Sequence, residues 1–374
     1  MASHYNVTVY ESLDDLPPTC AELFKEEERF SIFFSQPWLR NLAQHGLDEG
    51  DSLRIYVVSD AQGILGILPM RHTTPSSELY SLNRIEALAN YYASLFRPVL
   101  RKNDEQAALL ALADAVAKDA HRFDVVDFHP LAHDEPVFAW LKKAMQESRM
   151  LVQTYFCFGN WYLKVDGRSY REYYETFPSQ LKNTLKRKTK QFEAGGSTSI
   201  SIYTRVEELD IAIAAYEKVY HSSWKVPEPH PRFMPGLIRF CAEMGWLRLG
   251  VAYLEGEPVA AQVWIVHAGI AAIYKLAYDE KYAKLSAGSI LTSKLMQYVI
   301  EVDKVHEVDY LTGDDGYKKD WMSHRRERWV MAAYNLRTVK GLTYGIAYLG
   351  WAVIKRMRTR WRRVFAKPAQ EIAA

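Results

Sequence analysis

Cysteine is scarce: Cys20, Cys157 and Cys241 are the only three in 374 residues, odd in number and far apart. Neither a disulfide framework nor a paired-cysteine metal knuckle can be drawn from them, and a reducing compartment is the simple expectation. No apolar run reaches the roughly 18 residues that span a bilayer. The longest, Tyr344 to Ile354, leads straight into arginines. The start, Met1-Ala2-Ser3-His4-Tyr5, lacks a basic stretch followed by an apolar segment and a small-residue cleavage site, which predicts no export signal. A GxxxxGK[ST] loop and a GxGxxG turn are both missing, so nucleotide hydrolysis and dinucleotide redox chemistry lose their usual supports. His230, His267, His306 and His324 show no HxxxH spacing beside a carboxylate, and no metal site is expected.

What is present is an ordinary globular composition, 48% hydrophobic and 25% charged, with a length that suggests two domains at about 150 residues each. Aromatic content is high at 13%, which suits apolar grooves with polar edges. The net charge of +2 hides two basic clusters, Lys182 to Lys190 and Lys355 to Lys367. Either can meet phosphates or lie as a solvated helix face.

The first half reads as mixed α/β. A helix starts at Phe34 to Leu39, with Ser35 as N-cap and Pro37 in its first turn. Leu53 to Val58 and Ile64 to Met70 form a hairpin around Gly63. A helix over Ala107 to Ala120 precedes a buried strand at Val125 to Phe128, and a helix over Phe138 to Ser148 precedes strands at Leu151 to Phe158 and Trp161 to Val165. The second half predicts one helix over Tyr170 to Glu193, stopped by Gly195-Gly196, and a strand at Thr198 to Tyr203. Helices over Val206 to Ser222 and Pro231 to Met244 flank the Pro-rich link from Val226 to Pro231. Strands at Leu247 to Leu254, Pro258 to His267 and Ile270 to Tyr278 follow, then a helix over Ala287 to Val302, a strand at Val308 to Leu311, a loop and a last strand at Trp329 to Leu336.

That order of elements resembles the acyl-CoA-binding GNAT acyltransferase fold. Gly245-Trp246-Leu247, Glu255-Gly256-Glu257-Pro258, Tyr278-Asp279-Glu280-Lys281-Tyr282, Ser286-Ala287-Gly288 and Gly313-Asp314-Asp315-Gly316-Tyr317-Lys318 resemble the GNAT-like family found with cellulose and exopolysaccharide genes. The Fem-type aminoacyl transferases of peptidoglycan share its architecture of two GNAT-like halves. The resemblance runs over roughly residues 170 to 335, with Phe34 to Leu39 and Asn90 to Ser94 looking like the family's first half. It implies an α/β (α+β) fold of two tandem GNAT-like domains, 1–165 and 166–340, with mixed, mainly antiparallel sheets flanked by helices and a basic amphipathic tail over 341–374. Acyl-CoA is the implied co-substrate, with no permanently bound cofactor, and the implied partner is an amine acceptor. The acceptor expected for such a family with this tail is an amino sugar of an exopolysaccharide or an amino lipid such as a sphingoid base.

Acyl transfer from a thioester to an amine needs a phosphate seat, a donor that polarises the carbonyl and a base. Lys284, Ser286, Ala287, Gly288 and Ser289 suit the seat, because small residues at a helix start offer free backbone N–H groups and the helix dipole. They depart from the usual GNAT pattern, since Ala287 and Ser289 stand where glycines are common, and a plain helix cap fits the same letters. Asp315 can act as base or orient the amine, and Lys318 can stabilise an oxyanion or phosphate, with Tyr317 beside them; a solvated Asp-Gly turn is the alternative. His221 is a candidate base, or a helix-end cap. Tyr278 and Asp279 can hold the acceptor or sit in an exposed turn, and Tyr91 and Tyr92 can line an inter-domain cleft or simply pack.

At about 100° per residue, Ile346, Leu349, Val353, Met357, Trp361 and Val364 fall within an arc of roughly 120°, with arginines largely elsewhere. Ile346 to Val364 therefore predicts a helix that rests on an anionic membrane or docks on the second domain. A cytoplasmic protein is expected, with a peripheral seat on the inner face of the inner membrane as a further expectation. No DNA partner is expected. The alternative enzyme reading is a Fem-type transferase using aminoacyl-tRNA, with Lys182 to Lys190 on RNA phosphates. The alternative of another class is a non-catalytic, membrane-associated component of a polysaccharide synthase.

Overall fold

The computed structural model describes residues 5–73 and 81–349. Its first half runs β1 (Asn6–Tyr10), α1 (Cys20–Glu27), α2 (Gln36–His45), β2 (Ser52–Asp60), β3 (Gly63–Thr73), β4 (Arg84–Ala87), β5 (Val99–Leu100), α3 (Glu105–Ala117), β6 (Val125–Ala132), α4 (Pro136–Glu147) and β7 (Met150–Lys164). The second runs α5 (Tyr170–Glu175), α6 (Ser179–Glu193), β8 (Thr198–Tyr203), α7 (Leu209–His221), α8 (Phe233–Glu243), β9 (Leu247–Leu254), β10 (Glu257–His267), β11 (Ile270–Tyr278), α9 (Ala287–Glu301), β12 (Glu307–Asp309) and β13 (His324–Asn335). Ser35 does cap α2: the Trp38 backbone N–H donates to its hydroxyl at 3.3 Å, and Pro37 occupies the first turn.

Each half repeats one plan, so the tandem GNAT-like architecture is visible in the topology. Four antiparallel strands meander, and a helix then crosses back to a strand parallel to the fourth: β4 with β6 in the first half, β11 with β12 in the second. The halves share one mixed sheet, ordered β1-β2-β3-β4-β6-β13-β7-β12-β11-β10-β9-β8, with β5 pairing β3 off this path. Their last strands are exchanged. β7 leaves the first half to pair with β12, and β13 leaves the second to pair with β6, while β7 and β13 pair with each other. Apolar side chains fill both faces: one cluster lies under α1–α4, α7 and α8, and the other under α5, α6 and α9.

Three expectations need correction. The helix over Tyr170 to Glu193 is two, α5 and α6, because Pro178 bars the helical conformation for the residue before it and starts a new helix at Ser179. The two strands around Gly159-Asn160 are one, β7, because β13 pairs along it from Met150 to Tyr162 and holds the chain extended. The strand ending at Leu311 stops at Asp309, since Leu311 takes φ +55° and turns the chain away. A helix covers 339–349, with Ile346 and Leu349 exposed, and the remainder of the tail, Trp361 and its arginines included, lies outside the described residues. Among the described residues no helix is long and apolar enough to cross a membrane.

Candidate active site

The site grows from one interruption in the sheet. β11 pairs with β10 along its whole length to Tyr278, but with β12 only from Ile270 to Ala272. Beyond Asp309 the left-handed Leu311 and Gly313, at φ +55° and +101°, carry the chain away from β11. The far edge of β11 from Ile273 to Tyr278 is left without a ladder partner, and its main-chain groups face a gap.

At one end of that gap stands the start of α9. Ser286 adopts φ +56° and no side chain caps the helix, so first-turn N–H groups await an outside acceptor. Gly288 lies against Tyr278, whose ring carbon would be 3.5 Å from an added Cβ. The basic helix α6 packs here, and Lys188 donates to the Lys284 carbonyl. The two features that the sequence offered separately, a small-residue helix start and the Lys182 to Lys190 cluster, are thus neighbours.

At the other end lies the loop Gly313 to Lys318, on the same side of the sheet. Tyr310 packs in the cluster under α9, and Lys318 sits over its ring at 5.4 Å. Lys318 is buried and its three donors are used: the ammonium donates to the carbonyls of Thr312 (2.6 Å) and Gly313 (3.2 Å) and pairs with Asp315 at 3.2 Å. It therefore holds the loop in shape. Asp315 remains largely exposed. The adjacent Asp314 is engaged elsewhere, by Arg325 at 2.7 Å and the Trp161 indole at 2.7 Å, and Arg325 holds its carboxyl below the usual range. Burial and Asp315 push the Tyr317 phenol up to about 12.

The wall between these ends joins Tyr91, Tyr92 and Tyr278, which the sequence offered, to Glu228, Lys275 and Lys225, which sequence reasoning missed. Glu228, inside the Pro-rich link, accepts from Lys275 at 2.6 Å, Tyr92 at 2.8 Å and Tyr91 at 3.0 Å. Burial alone would raise its pKa, but the Lys275 bond together with those of Tyr220 and Tyr92 holds it below the ordinary carboxylate value. Lys275 lies over both tyrosine rings, and Tyr92 stacks on Phe233 with centroids 3.7 Å apart. Beside them Trp224 lies tilted against Tyr278 with centroids 4.4 Å apart, and Lys225 lies over Trp224. Lys225 makes no ion pair among the described residues, and burial, then repulsion by Lys275, lowers its pKa; Lys318 and Asp315 also act on it. The available signal was a lone carboxylate between prolines, Pro227-Glu228-Pro229, and a lone lysine in an apolar strand, Tyr274-Lys275-Leu276.

His221 ends α7, exposed, beside a pocket that also touches Tyr220 and Glu228, and it has no hydrogen bond among the described residues. Asp279 caps the turn after β11, accepting from the Lys281 N–H at 2.9 Å. Among the described residues no group of three or more His, Cys, Asp and Glu could hold a metal.

Residues 179–319 match the family described as acetyltransferase (GNAT) domain. Within the second half, residues 179–319 are thus similar to a GNAT-type acetyltransferase domain, and the splayed β11/β12 pair with α9 lies inside the matched span. No curated protein matches the chain by sequence. Among solved structures, FemX superposes with a TM-score of 0.58 at 11% identity, covering 85% of this chain and 98% of that one. L-PGS from Bacillus licheniformis gives 0.49 at 13% identity, covering 87% and 96%. A tandem GNAT protein from the clavulanic acid biosynthesis pathway gives 0.47 at 12%, covering 88% and 98%. The FemX likeness spans both halves and shows a common fold.

Proposed function

We propose that the protein is an N-acyltransferase that takes an acyl group from acyl-CoA and passes it directly to an amine of an envelope-related acceptor, an amino sugar or an amino lipid such as a sphingoid base. One observation carries the reading: the unladdered edge of β11 opens onto the uncapped start of α9, with Lys188 and Lys284 beside it. Backbone N–H groups there suit a pyrophosphate, and a strand edge suits the amide-bearing arm of the carrier. The amine nitrogen attacks the thioester carbonyl, the C–N bond forms, the C–S bond breaks and the thiolate leaves. Asp315 receives the proton that the amine sheds, and Lys225, with no carboxylate of its own, faces the developing oxyanion. Exposed Ile346 and Leu349 on the helix 339–349 favour a peripheral seat on an anionic membrane.

The exposed Lys186, Arg187 and Lys190 of α6 favour a second reading, an aminoacyl-tRNA donor whose phosphates they would neutralise. Incubating the purified protein with labelled acyl-CoAs of increasing chain length and with labelled aminoacyl-tRNA, each with an amino sugar or a sphingoid base, separates the two. Label is expected in the acceptor from acyl-CoA, with Asp315→Asn about 100-fold slower. Transfer from aminoacyl-tRNA alone would replace the first reading with the second.

A further inference from the structure

On the other face of the sheet, an open-mouthed cleft of about 150 Å³ lies between the two halves. The change of face follows from strand alternation: Asp309 and Leu311 line this cleft, while Tyr310 between them packs under α9 beside Lys318. Its lining is mixed: Ile265, Ile270, Ala272 and Leu311 form an apolar side, His267 and Asp309 lie beside them, and two arginines of β13 meet it.

The two arginines differ sharply. Arg326 has charge partners: it donates to Asn160 at 2.6 Å, pairs with Glu307 at 2.8 Å and Asp309 at 2.5 Å, and covers the Tyr162 ring. Arg328 is 4% exposed yet makes a single hydrogen bond among the described residues, from Nη2 to the Asn160 oxygen at 3.2 Å, an oxygen already taken by Arg326. Its Nε is buried with no partner. It makes no ion pair among the described residues, because the carboxylates around it are engaged or distant: Asp309 belongs to Arg326 and Asn160, Glu135 pairs with Arg97, and Asp134 is exposed at the rim. The Ser94 hydroxyl, on a residue only 4% exposed that also lines the cleft, has no hydrogen-bond partner among the described residues. A folded protein rarely keeps a buried guanidinium so poorly satisfied unless a ligand completes it.

We propose that this cleft binds an organic monocarboxylate with an apolar body, its two oxygens bridging donors of Arg328 and accepting from Ser94. One unmatched cation calls for one negative charge, and Asp134 and Glu135 at the rim would repel the second charge of a phosphate. The apolar side takes a hydrocarbon body. The site stands independently of the acyl donor, since it lies on the opposite face from α9.

Calorimetric titration of the full chain with straight-chain carboxylates from acetate to octanoate and with N-acetyl-L-leucine tests this, with N-acetyl-L-leucinamide and inorganic phosphate as controls. At least one carboxylate is expected to bind with 1:1 stoichiometry, affinity rising with apolar length, while the amide and phosphate stay silent. Arg328→Gln and Ile270→Trp, which narrows the cleft from a half-buried position, should each weaken that binding at least tenfold. Acyl-CoA titrations of both variants should match the parent protein. The ligand-free Arg328→Met variant should melt no lower than the parent, since it removes an unmatched buried charge. Silence from every carboxylate, equal binding of amide or phosphate, or an Arg328→Met variant that melts far lower would each overturn the proposal. If Arg328→Gln does not fold, Ile270→Trp alone decides.

Discussion

Lys225 shows how a single side chain ties stability to activity. Its ammonium is half-buried, unpaired among the described residues and repelled by Lys275 and Lys318, so its pKa lies below the ordinary lysine value. In the window below that ordinary value the unfolded chain binds more protons than the folded one, so stability rises with pH there. Lys225→Met should flatten this rise and lift the melting temperature by about 2 °C, for roughly 1 kcal/mol in a chain of this size. The same change should slow acyl transfer at least about tenfold if the ammonium meets the oxyanion. Melting curves from pH 7 to 10 beside initial rates decide; a variant less stable and equally active would refute the role. Glu228 behaves oppositely. It neutralises Lys275 and accepts from Tyr91 and Tyr92, so Glu228→Gln leaves a largely buried ammonium without its counter-charge and should cost about 3 kcal/mol. Tyr92→Phe removes one hydrogen bond while the ring stays on Phe233, and should cost about 1 kcal/mol. Denaturant midpoints for the two variants test that ranking.

Among the elements, those with strong periodicity and clear punctuation were legible in sequence. The β2–β3 hairpin, α9 and the β9 to β11 meander lie within a residue or two of expectation at most ends, because turns such as Glu255-Gly256 and a heptad-like apolar stripe fix them locally. Three kinds of element were not. β1 and α1 are short and half-polar; β7 is continuous only because a distant strand pairs with it; and α5/α6 hinges on Pro178 inside an otherwise helical pattern. The candidate site divides the same way. The α9 start and the Gly313–Lys318 loop were visible as local motifs, whereas Glu228 and Lys275 are 47 residues apart and become one feature only when the link folds against β11. At this scale the unladdered edge of β11 makes its own prediction. Donor binding should slow amide hydrogen exchange in the second half of β11 and the first turn of α9, and leave β2 and β3 unchanged. Gly288→Val, whose side chain would crowd Tyr278, should weaken that protection while the fold persists. Protection spread evenly over the sheet would mean the donor lies elsewhere.

At the scale of the whole molecule, the exchange of last strands makes each half depend on the other. β6 and β7 of the first half both pair with β13, the last strand among the described residues. On the face under α2 and α8 the halves are fastened again: Trp38 of α2 meets Phe233 of α8 and Tyr274 of β11 edge-on, at 5.6 and 5.9 Å, and the Asn41 amide donates to the Phe233 carbonyl at 3.3 Å. Cutting the chain after residue 165 should therefore give two fragments that are unfolded alone, since the first loses β13 from beside β6 and β7, and the second loses β7 from beside β12 and β13. Co-expressed, they should assemble with one shared melting transition. The fastening can be loosened without a cut. α8 approaches α2 so closely at Gly236 that an added Cβ would overlap the Asn41 side-chain oxygen, and neither helix can move without disturbing Trp38. Gly236→Ala should gain about 1 kcal/mol of intrinsic helix preference yet lose more by prising the helices apart, for a net cost of about 1 kcal/mol. Pairing it with Asn41→Ser relieves the overlap and should restore most of the loss. A double variant no more stable than Gly236→Ala alone would show that the contact between the halves is set elsewhere.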